Sequence, residues 1–247
     1  MTVDNHSSSD SSEPSVEISC RNTKERKILK ILVLGEVSVG KTSLIKRYVH
    51  NFFSQHYRAT IGVDFALKHL VWEDESVILL QLWDIAGQER FESMNRVYYK
   101  GAVGSFILTD ASNPDSFKSA IRWKKDFDTK VTMEDGQPSP SILLVNKCDI
   151  EKVGIASDIV QLHSFAQENG FLAWAYVSAK ENIGIDDASK NLIRKVLERM
   201  ESNEQTELVE GNQTIDRSDV KVLTKTTAVD LASGRPQDAR ESSGCSC

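Results

Sequence analysis

Short apolar runs alternate with segments of helical apolar spacing between Lys27 and Met200. The apolar runs predict six strands, at residues 28–34, 63–71, 76–83, 104–110, 141–146 and 171–177. The segments between them predict about five helices, at residues 41–50, 89–99, 114–130, 155–169 and 185–201. Such alternation is typical of an α/β fold, here a six-stranded, mostly parallel sheet flanked by helices, with one antiparallel strand at the pair formed by the second and third runs.

Both ends of the chain lack this periodicity. Residues 1–26 are rich in serine and acidic side chains, and residues 203–247 are again mostly polar. Segments of this composition bury too little apolar surface to fold, so we predict that both are disordered extensions. Residues 27–202 remain as one domain, which is long enough to bury a single core.

Charge and composition exclude several classes of function. The net charge is −6 and neither end carries a basic block, which argues against a nucleic-acid partner. The sequence has no apolar run of about 18 residues and no signal-peptide core, so we expect a protein that starts and stays in the cytosol. The chain has four cysteines, two of them at its extreme C-terminus, and this is not a disulfide framework.

A phosphate-binding pattern follows the first predicted strand. Residues 35–42 read Gly-Glu-Val-Ser-Val-Gly-Lys-Thr and fit G-x-x-x-x-G-K-[ST], directly before a predicted helix. In that context loop N–H groups and the positive end of the helix face one point, which suits a polyphosphate. We expect Lys41 to neutralise the β- and γ-phosphate oxygens and the Thr42 hydroxyl to hold Mg²⁺. The alternative is an ordinary glycine turn.

Two weaker signals belong to the same end of the site. Asp84 and Gly87, in a D-x-x-G pattern, follow the third predicted strand. A carboxylate there can hold Mg²⁺ through water, and the Gly87 N–H can meet a γ-phosphate. Thr60, in the loop after the first helix, can complete the Mg²⁺ shell only when a γ-phosphate is present, which makes that loop a candidate switch. Alone, each is more often an ordinary turn or a structural threonine.

The N-K-x-D pattern at residues 146–149 ends the fifth predicted strand. Guanine offers two adjacent donors, N1–H and the 2-amine, and the single carboxylate of Asp149 can accept both, whereas adenine does not present that pair. Lys147 can lie along the base plane, and Asn146 can tie neighbouring loops together. A solvated polar turn is the alternative.

The S-A-K pattern of Ser178, Ala179 and Lys180 follows the sixth predicted strand. It can present the Ala179 N–H to the base carbonyl. Together with N-K-x-D at this spacing, it predicts a guanine nucleotide.

At this point residues 27–200 resemble the Ras superfamily of small GTPases, whose fold is the P-loop NTPase small G domain. Residues 61–65, 82–91 and 98–99 resemble the Rab branch in particular. Within that branch, residues 57–68 and 83–88 are similar to the subgroup of melanosomes and lysosome-related organelles.

The resemblance implies a small monomeric GTP hydrolase with GTP or GDP and Mg²⁺ as ligands. Gln88 would position the attacking water, Phe53 would pack edge-on against guanine, and an apolar triad would be read by effectors, unless its rings are simply core. The implied triad consists of Phe65, Trp83 and Tyr98, the implied Mg²⁺ site of Thr42, Thr60 and Asp84, and the implied nucleotide contacts of Val39, Gly40, Lys41, Thr42, Ser43, Phe53, Ser54, Tyr57, Thr60, Gly87, Asn146, Lys147, Asp149, Ser178, Ala179 and Lys180.

Two residues of the phosphate loop depart from the Ras pattern. Val37 and Ser38 stand where Ras itself has two glycines, although Rabs commonly carry another residue at the first of these positions. A β-branched side chain there fills space near the γ-phosphate and hinders Gln88 or an incoming arginine, which predicts slow intrinsic hydrolysis. Ile85 replaces the commoner threonine, and we expect no effect on metal or phosphate.

The chain closes on Cys245-Ser246-Cys247, which resembles the C-x-C ending on which Rabs receive two geranylgeranyl groups. Two terminal cysteines can also occur by chance. Two lipid chains give stable membrane anchoring where one gives marginal binding. Because the tail has no basic cluster, the choice of membrane must come from protein partners.

These features predict a membrane-anchored GTP/GDP switch in vesicle traffic, on the cytoplasmic face of endosomal or lysosome-related membranes and in the cytosol. The implied partners are an exchange factor, a GTPase-activating protein, effectors, a prenylation escort protein and a GDP-dissociation inhibitor. Two alternatives stay open. One is a module that holds GTP but scarcely hydrolyses it, and the other is a P-loop kinase for a small metabolite, although the sequence shows neither its arginine-bearing lid nor an acceptor pocket.

Overall fold

The computed structural model describes residues 26–56, 58–73, 76–87, 97–132 and 136–211, with the backbone alone for 203–211. The chain divides into two units, residues 1–205 and 206–247, and every strand and every residue of the cavity described below belongs to the first. Most of the two predicted extensions lies outside the described residues, so their disorder stays a prediction.

Within the described residues, six strands form one sheet. They are β1 (Arg26–Gly35), β2 (Val63–Val71), β3 (Val77–Ile85), β4 (Gly104–Asp110), β5 (Ser141–Asn146) and β6 (Ala173–Tyr176). Their order is β2-β3-β1-β4-β5-β6, and every neighbouring pair is parallel except β2 and β3. The predicted sheet, with its one antiparallel strand, is confirmed.

The last strand is shorter than the predicted 171–177. The Phe171 N–H donates to the carbonyl of Ala166 and so belongs to the end of the preceding helix. Phe171 and Val177 are nonetheless buried, and their side chains explain why the sequence pattern extends past both ends of the strand.

Four α-helices cover the described part of the sheet: α1 (Lys41–His50), α2 (Asp115–Lys130), α3 (Ile159–Glu168) and α4 (Ile185–Gly211). Of the helix predicted at 89–99, residues 97–99 are helical, and the earlier ones lie outside the described residues. The last helix is ten residues longer than the predicted 185–201, because residues 202–210 contain neither proline nor glycine. None of the helices in the described ranges is both long and apolar enough to cross a membrane.

The prediction of one continuous helix at residues 155–169 is wrong. A short 3₁₀ helix, Gly154–Ser157, precedes α3, and Asp158 stands between them in extended conformation. The Asp158 carboxylate accepts hydrogen bonds from the N–H groups of Val160 and Gln161. This capping satisfies free N–H groups at the start of α3, and it fixes where the helix begins.

The apolar residues of each central strand alternate between two cores. Along β1, Ile31 and Val33 face the core beneath α1 and α4, whereas Leu32 and Leu34 face the core beneath α2 and α3. A strand buried on both faces reads as a continuous apolar run, which is why β1, β4 and β5 were visible in the sequence. Because helices cover both faces of the sheet, a polar ligand site is expected at the carboxyl edge of the strands.

Truncation of one core residue tests this arrangement. Leu144 lies in the middle of β5 and is 1% exposed. We expect Leu144→Ala to lower the free energy of unfolding by about 2–5 kcal/mol, because it removes buried methyl groups and leaves a cavity. Urea denaturation at a fixed, saturating GDP concentration measures the change, since bound ligand itself stabilises the fold.

The control is Ile159→Ala at the start of α3, where the side chain is 63% exposed. A surface truncation of this kind changes stability by about 0.5 kcal/mol or less. Equal losses in the two variants would contradict the placement of Leu144 in the core.

Candidate nucleotide site

A cavity of about 630 Å³ lies at the carboxyl edge of the sheet. It brings together most of the sequence-predicted contacts, namely Gly40, Lys41, Thr42, Ser43, Phe53, Ser54, Thr60, Gly87, Asn146, Lys147, Asp149, Ala179 and Lys180. Val39 and Ser178, at 2% and 0% exposed, are buried behind its wall. Tyr57 and Gln88 lie outside the described residues, so their predicted roles stay predictions.

Lys41 is the first residue of α1, and its side chain reaches back to the start of the phosphate loop. Its Nζ donates to the carbonyl oxygens of Gly35 and Glu36, at 2.9 Å each. Burial lowers the pKa of Lys41 to about 8, against the opposite influence of the Asp84 and Glu36 carboxylates. A polyphosphate in the cavity would supply the negative charge that a buried ammonium lacks here.

Two glycines of the site permit contacts that any side chain would block. Gly40 has a φ of +97°, and a Cβ there would lie 2.4 Å from Asn146 Nδ2. A Cβ on Gly87 would lie 2.4 Å from the backbone nitrogen of Val37. Gly87 therefore packs directly on the phosphate loop, next to the position predicted for the γ-phosphate.

Ser38 adopts a backbone conformation that favours glycine. Its φ is +64°, in the left-handed region. An L-residue loses about 1 kcal/mol there relative to glycine. Serine in place of the glycine of Ras therefore strains the backbone at residue 38, whereas Val37 does not have a positive φ.

The first half of the phosphate loop is anchored to α2, a contact that the sequence analysis missed. Glu36 Oε2 accepts a hydrogen bond from Ser119 Oγ at 2.9 Å. Arg122 Nη2 lies 3.6 Å from the same oxygen. Because Arg122 is largely exposed, the bond from buried Ser119 contributes more to holding Glu36.

The three predicted Mg²⁺ ligands lie together. Thr42 Oγ1 is 2.5 Å from Asp84 Oδ2 and 2.6 Å from Thr60 Oγ1, and Thr60 Oγ1 is 3.4 Å from Asp84 Oδ2. Asp84 Oδ1 is buried without a hydrogen-bond partner. Burial raises the pKa of Asp84, against the hydrogen bond from Thr42 and the charge of Lys41. Hard oxygen donors and a buried carboxylate with a free oxygen fit Mg²⁺.

At the other end of the cavity, Ser178 positions the predicted base-reading carboxylate. Its hydroxyl donates to Asp149 Oδ1 at 2.6 Å, and Lys180 Nζ lies 3.9 Å from Asp149 Oδ2. Asp149 lines the cavity while Ser178 stands behind it. The serine hydroxyl therefore fixes the carboxylate that guanine would meet.

Asn146 ties the phosphate loop to the S-A-K loop, as the sequence led us to expect, while its predicted contact with the nucleotide stays a prediction. Its Nδ2 donates to the Val39 carbonyl at 2.8 Å, and its Oδ1 accepts from the Ala179 N–H at 3.2 Å. That N–H was predicted to meet the base carbonyl. In this structure it faces Asn146, so its contact with a base stays a prediction.

Lys147 pairs with a carboxylate that the sequence analysis did not single out. Its Nζ lies 2.6 Å from Asp110 Oδ2 at the end of β4. Burial acts to raise the pKa of Asp110, but hydrogen bonds from Lys147 and Ser112 outweigh it, and the pKa lies below its ordinary value. Asp110 thus stays charged and holds the Lys147 side chain along the cavity wall.

The three aromatic residues of the predicted effector triad are neighbours. Phe65 and Trp83 stack with ring centroids 5.8 Å apart, and Tyr98 lies 6.3 Å from Trp83. Phe65 is 59% exposed, and Lys30 Nζ stands 4.1 Å from the centre of the Trp83 ring. Trp83 and Tyr98 are partly buried and pack against the core beneath α2 and α3, so the exposed part of the cluster is mainly Phe65.

Comparison with known proteins agrees with this site. A model of the Ras family matches residues 30–198. Ras-related protein Rab-32 of Homo sapiens is 54% identical over 170 residues, which cover 69% of this chain and 75% of that protein. Ras-related protein Rab-7L1 of Homo sapiens is 48% identical over 170 residues, 69% of this chain and 83% of that protein. Ras-related protein Rab-32A of Dictyostelium discoideum is 49% identical over 171 residues, 69% and 78% respectively.

The matched residues span the whole cavity, from the phosphate loop to the S-A-K loop, and most of the sheet behind it. The chain therefore belongs to the Ras family and is a small GTPase of the Rab branch, an enzyme that hydrolyses GTP.

Proposed function

We propose that this protein is a membrane-anchored switch that binds GTP with Mg²⁺, hydrolyses it slowly and recruits effectors in its GTP state. One observation carries the proposal: a single cavity joins an oxygen cluster suited to Mg²⁺ with a carboxylate suited to guanine. Thr42, Thr60 and Asp84 meet at one end, and Asp149, fixed by Ser178, lies at the other.

Each residue at the phosphate end of the cavity has a distinct proposed role. Lys41 faces the phosphates, and Mg²⁺, when bound to Thr42, Thr60 and Asp84, neutralises their charge. Gly87 lies against the phosphate loop, where its N–H can reach a γ-phosphate. Gln88, the next residue, is the proposed positioner of the attacking water, by resemblance.

Switching follows from Thr60. This residue stands in the loop between α1 and β2, and its hydroxyl reaches Thr42 and Asp84 across the cavity mouth. Thr60 is proposed to complete the Mg²⁺ shell only while a γ-phosphate is bound. Loss of that phosphate would therefore release the loop. The loop continues into β2, which carries Phe65 of the aromatic triad, so the proposed effector surface changes with the nucleotide.

Slow hydrolysis follows from the phosphate loop. Val37 and Ser38 line the cavity, the backbone nitrogen of Val37 stands where Gly87 meets the loop, and Ser38 has a left-handed backbone conformation. Both crowd the space that Gln88 or an arginine from a partner must enter. A GTP-holding module with scarce turnover is the second candidate, favoured by the same two residues.

Location and partners rest on family resemblance. The Rab-like sequence and the C-x-C ending support two prenyl groups, on Cys245 and Cys247, and a cycle between the cytosol and the cytoplasmic face of intracellular membranes. The proposed partners are those of that cycle: an exchange factor, a GTPase-activating protein, effectors, a prenylation escort and a GDP-dissociation inhibitor. Lysosome-related organelles are the proposed destination.

Asp149→Asn tests the proposed function directly. The carboxylate of Asp149 can accept hydrogen bonds from both N1–H and the 2-amine of guanine, whereas the asparagine amide cannot accept both. Because one buried donor then loses its partner, GTP should bind about 30-fold or more weakly. Xanthine nucleotides should gain affinity, since their 2-oxo group accepts a bond from the new amide. Competition between GTP and XTP for a fluorescent nucleotide measures both effects.

The matched control is Asp158→Asn, the same chemical change at the cap of α3. Asparagine also caps helices well, so nucleotide affinity should stay unchanged. If GTP still outcompetes XTP in Asp149→Asn, Asp149 does not read the base.

Val37→Gly with Ser38→Gly should accelerate intrinsic hydrolysis, because the change clears the γ-phosphate region and relaxes the left-handed residue. Single-turnover assays with preloaded GTP give the rate. Gln88→Leu, measured alongside, should slow it by leaving the water unpositioned. An unchanged rate in the double-glycine variant would rule out the proposed steric brake, whereas wild-type protein with no measurable single-turnover hydrolysis would favour the second candidate.

Cys245→Ser with Cys247→Ser should leave nucleotide binding intact and move the protein from membranes to the cytosol. Either single change should give an intermediate distribution, since one lipid chain dissociates readily and two do not. Fractionation of cells measures the distribution, with Cys20→Ser as the control for loss of a thiol elsewhere. A double variant that still sediments with membranes would place the anchor outside these two cysteines.

A further inference from the structure

We propose that Arg47, a residue of α1 outside every nucleotide motif, positions the S-A-K loop and so sets how well the site recognises the 6-carbonyl of guanine. The inference rests on the proposed guanine site and concerns a side chain that need not touch the nucleotide.

The Arg47 guanidinium holds two consecutive carbonyl groups of the loop. Its Nε donates to the Ala179 oxygen at 2.8 Å, and its Nη2 donates to the Lys180 oxygen at 2.9 Å. Two nearly parallel N–H groups on one rigid plane fix the direction of both peptide groups more closely than the rotating N–H groups of an ammonium.

The third nitrogen extends this clamp to the end of α1. Arg47 Nη1 donates to the Asn51 carbonyl at 3.1 Å, at the left-handed residue that ends the helix. The guanidinium carbon also lies 6.0 Å from the centre of the Phe53 ring, the proposed edge-on contact of the base. One side chain thus contacts both elements that would face guanine.

The backbone of Ala179 is held from both sides. Arg47 binds its carbonyl oxygen, and Asn146 Oδ1 accepts from its N–H. The hydrogen bond from this N–H to Asn146 is long, at 3.2 Å. The N–H can therefore also donate to an oxygen in the cavity, whose wall Ala179 helps to form. This N–H belongs to the peptide group before the one that Arg47 holds, so Arg47 acts on it through the Ala179 Cα, by limiting the φ and ψ that this residue can adopt.

Arg47 also fixes the loop relative to the phosphate end. The helix that carries it begins at Lys41, six residues earlier, about 9 Å along the axis. A clamp on this helix therefore sets the spacing between the phosphate-binding and base-reading ends of the cavity.

Two ratios of affinity separate this role from a merely structural one. GTP against 6-thio-GTP reports recognition of the 6-carbonyl, because sulfur replaces that oxygen with a weak acceptor while N1–H and the 2-amine remain. GTP against ITP reports recognition of the 2-amine by Asp149, because ITP lacks only that group. We expect Arg47→Ala to lower GTP affinity about tenfold and to shrink the first ratio by most of that factor. The second ratio should stay unchanged.

Arg47→Lys keeps the charge but replaces the rigid planar fork with a single rotating ammonium, which fixes the two carbonyl groups less well, so its first ratio should lie between wild type and Arg47→Ala. The control is Arg194→Ala, which removes an exposed arginine bonded to Glu73 and should change neither ratio. Titration of full-length protein with each nucleotide, in competition with a fluorescent one, gives all the values.

A uniform loss of affinity for the three nucleotides would show that Arg47 only stabilises the fold, and no loss at all would show that it has no part; either overturns the proposal. If the wild-type protein prefers GTP to ATP but the Arg47 variants leave both affinity ratios unchanged, only the inference about Arg47 is overturned. A wild type without that preference overturns the proposed guanine site as well.

Discussion

The buried amide of Asn146 is the contact on which the site depends. It ends β5, is 1% exposed, and bridges the Val39 carbonyl of one loop to the Ala179 N–H of another. Gly40 has to lack a side chain because this amide fills the space beside it. An unpaired amide buried at this point would cost about 1–3 kcal/mol, so the two loops are held together or the site is lost.

The charges of the site are arranged for a ligand that brings both signs. Lys41 is a buried cation with a lowered pKa, and Asp84 is a buried acid with a raised pKa, so each is poorly satisfied by the protein alone. A polyphosphate carrying Mg²⁺ offers an anion to the first and a cation to the second. The same electrostatics favours the complete ligand over either of its halves.

The sequence allowed the fold and most of the site to be predicted because that information is local. Strands buried on both faces appear as apolar runs, and the nucleotide motifs are contiguous residues at strand ends. The missed contacts join common residue types across long separations: Arg47 to Ala179, Ser119 to Glu36 and Lys147 to Asp110. No pattern marks such pairs until the sheet brings them together. Asp158 is different, since an aspartate before an apolar segment is a helix-start signal that was readable and was missed.

The antiparallel pairing of β2 with β3 has a consequence for how a nucleotide state would become a surface. In its register Asp64 lies opposite Asp84 and Phe65 lies opposite Trp83. Successive side chains of a strand point to opposite faces, so Asp84, the carboxylate proposed for Mg²⁺, and Trp83, the central ring of the aromatic triad, are adjacent residues on the two sides of one strand. The proposed switch therefore needs no relay through the core. Its input and its output are separated by a single peptide bond.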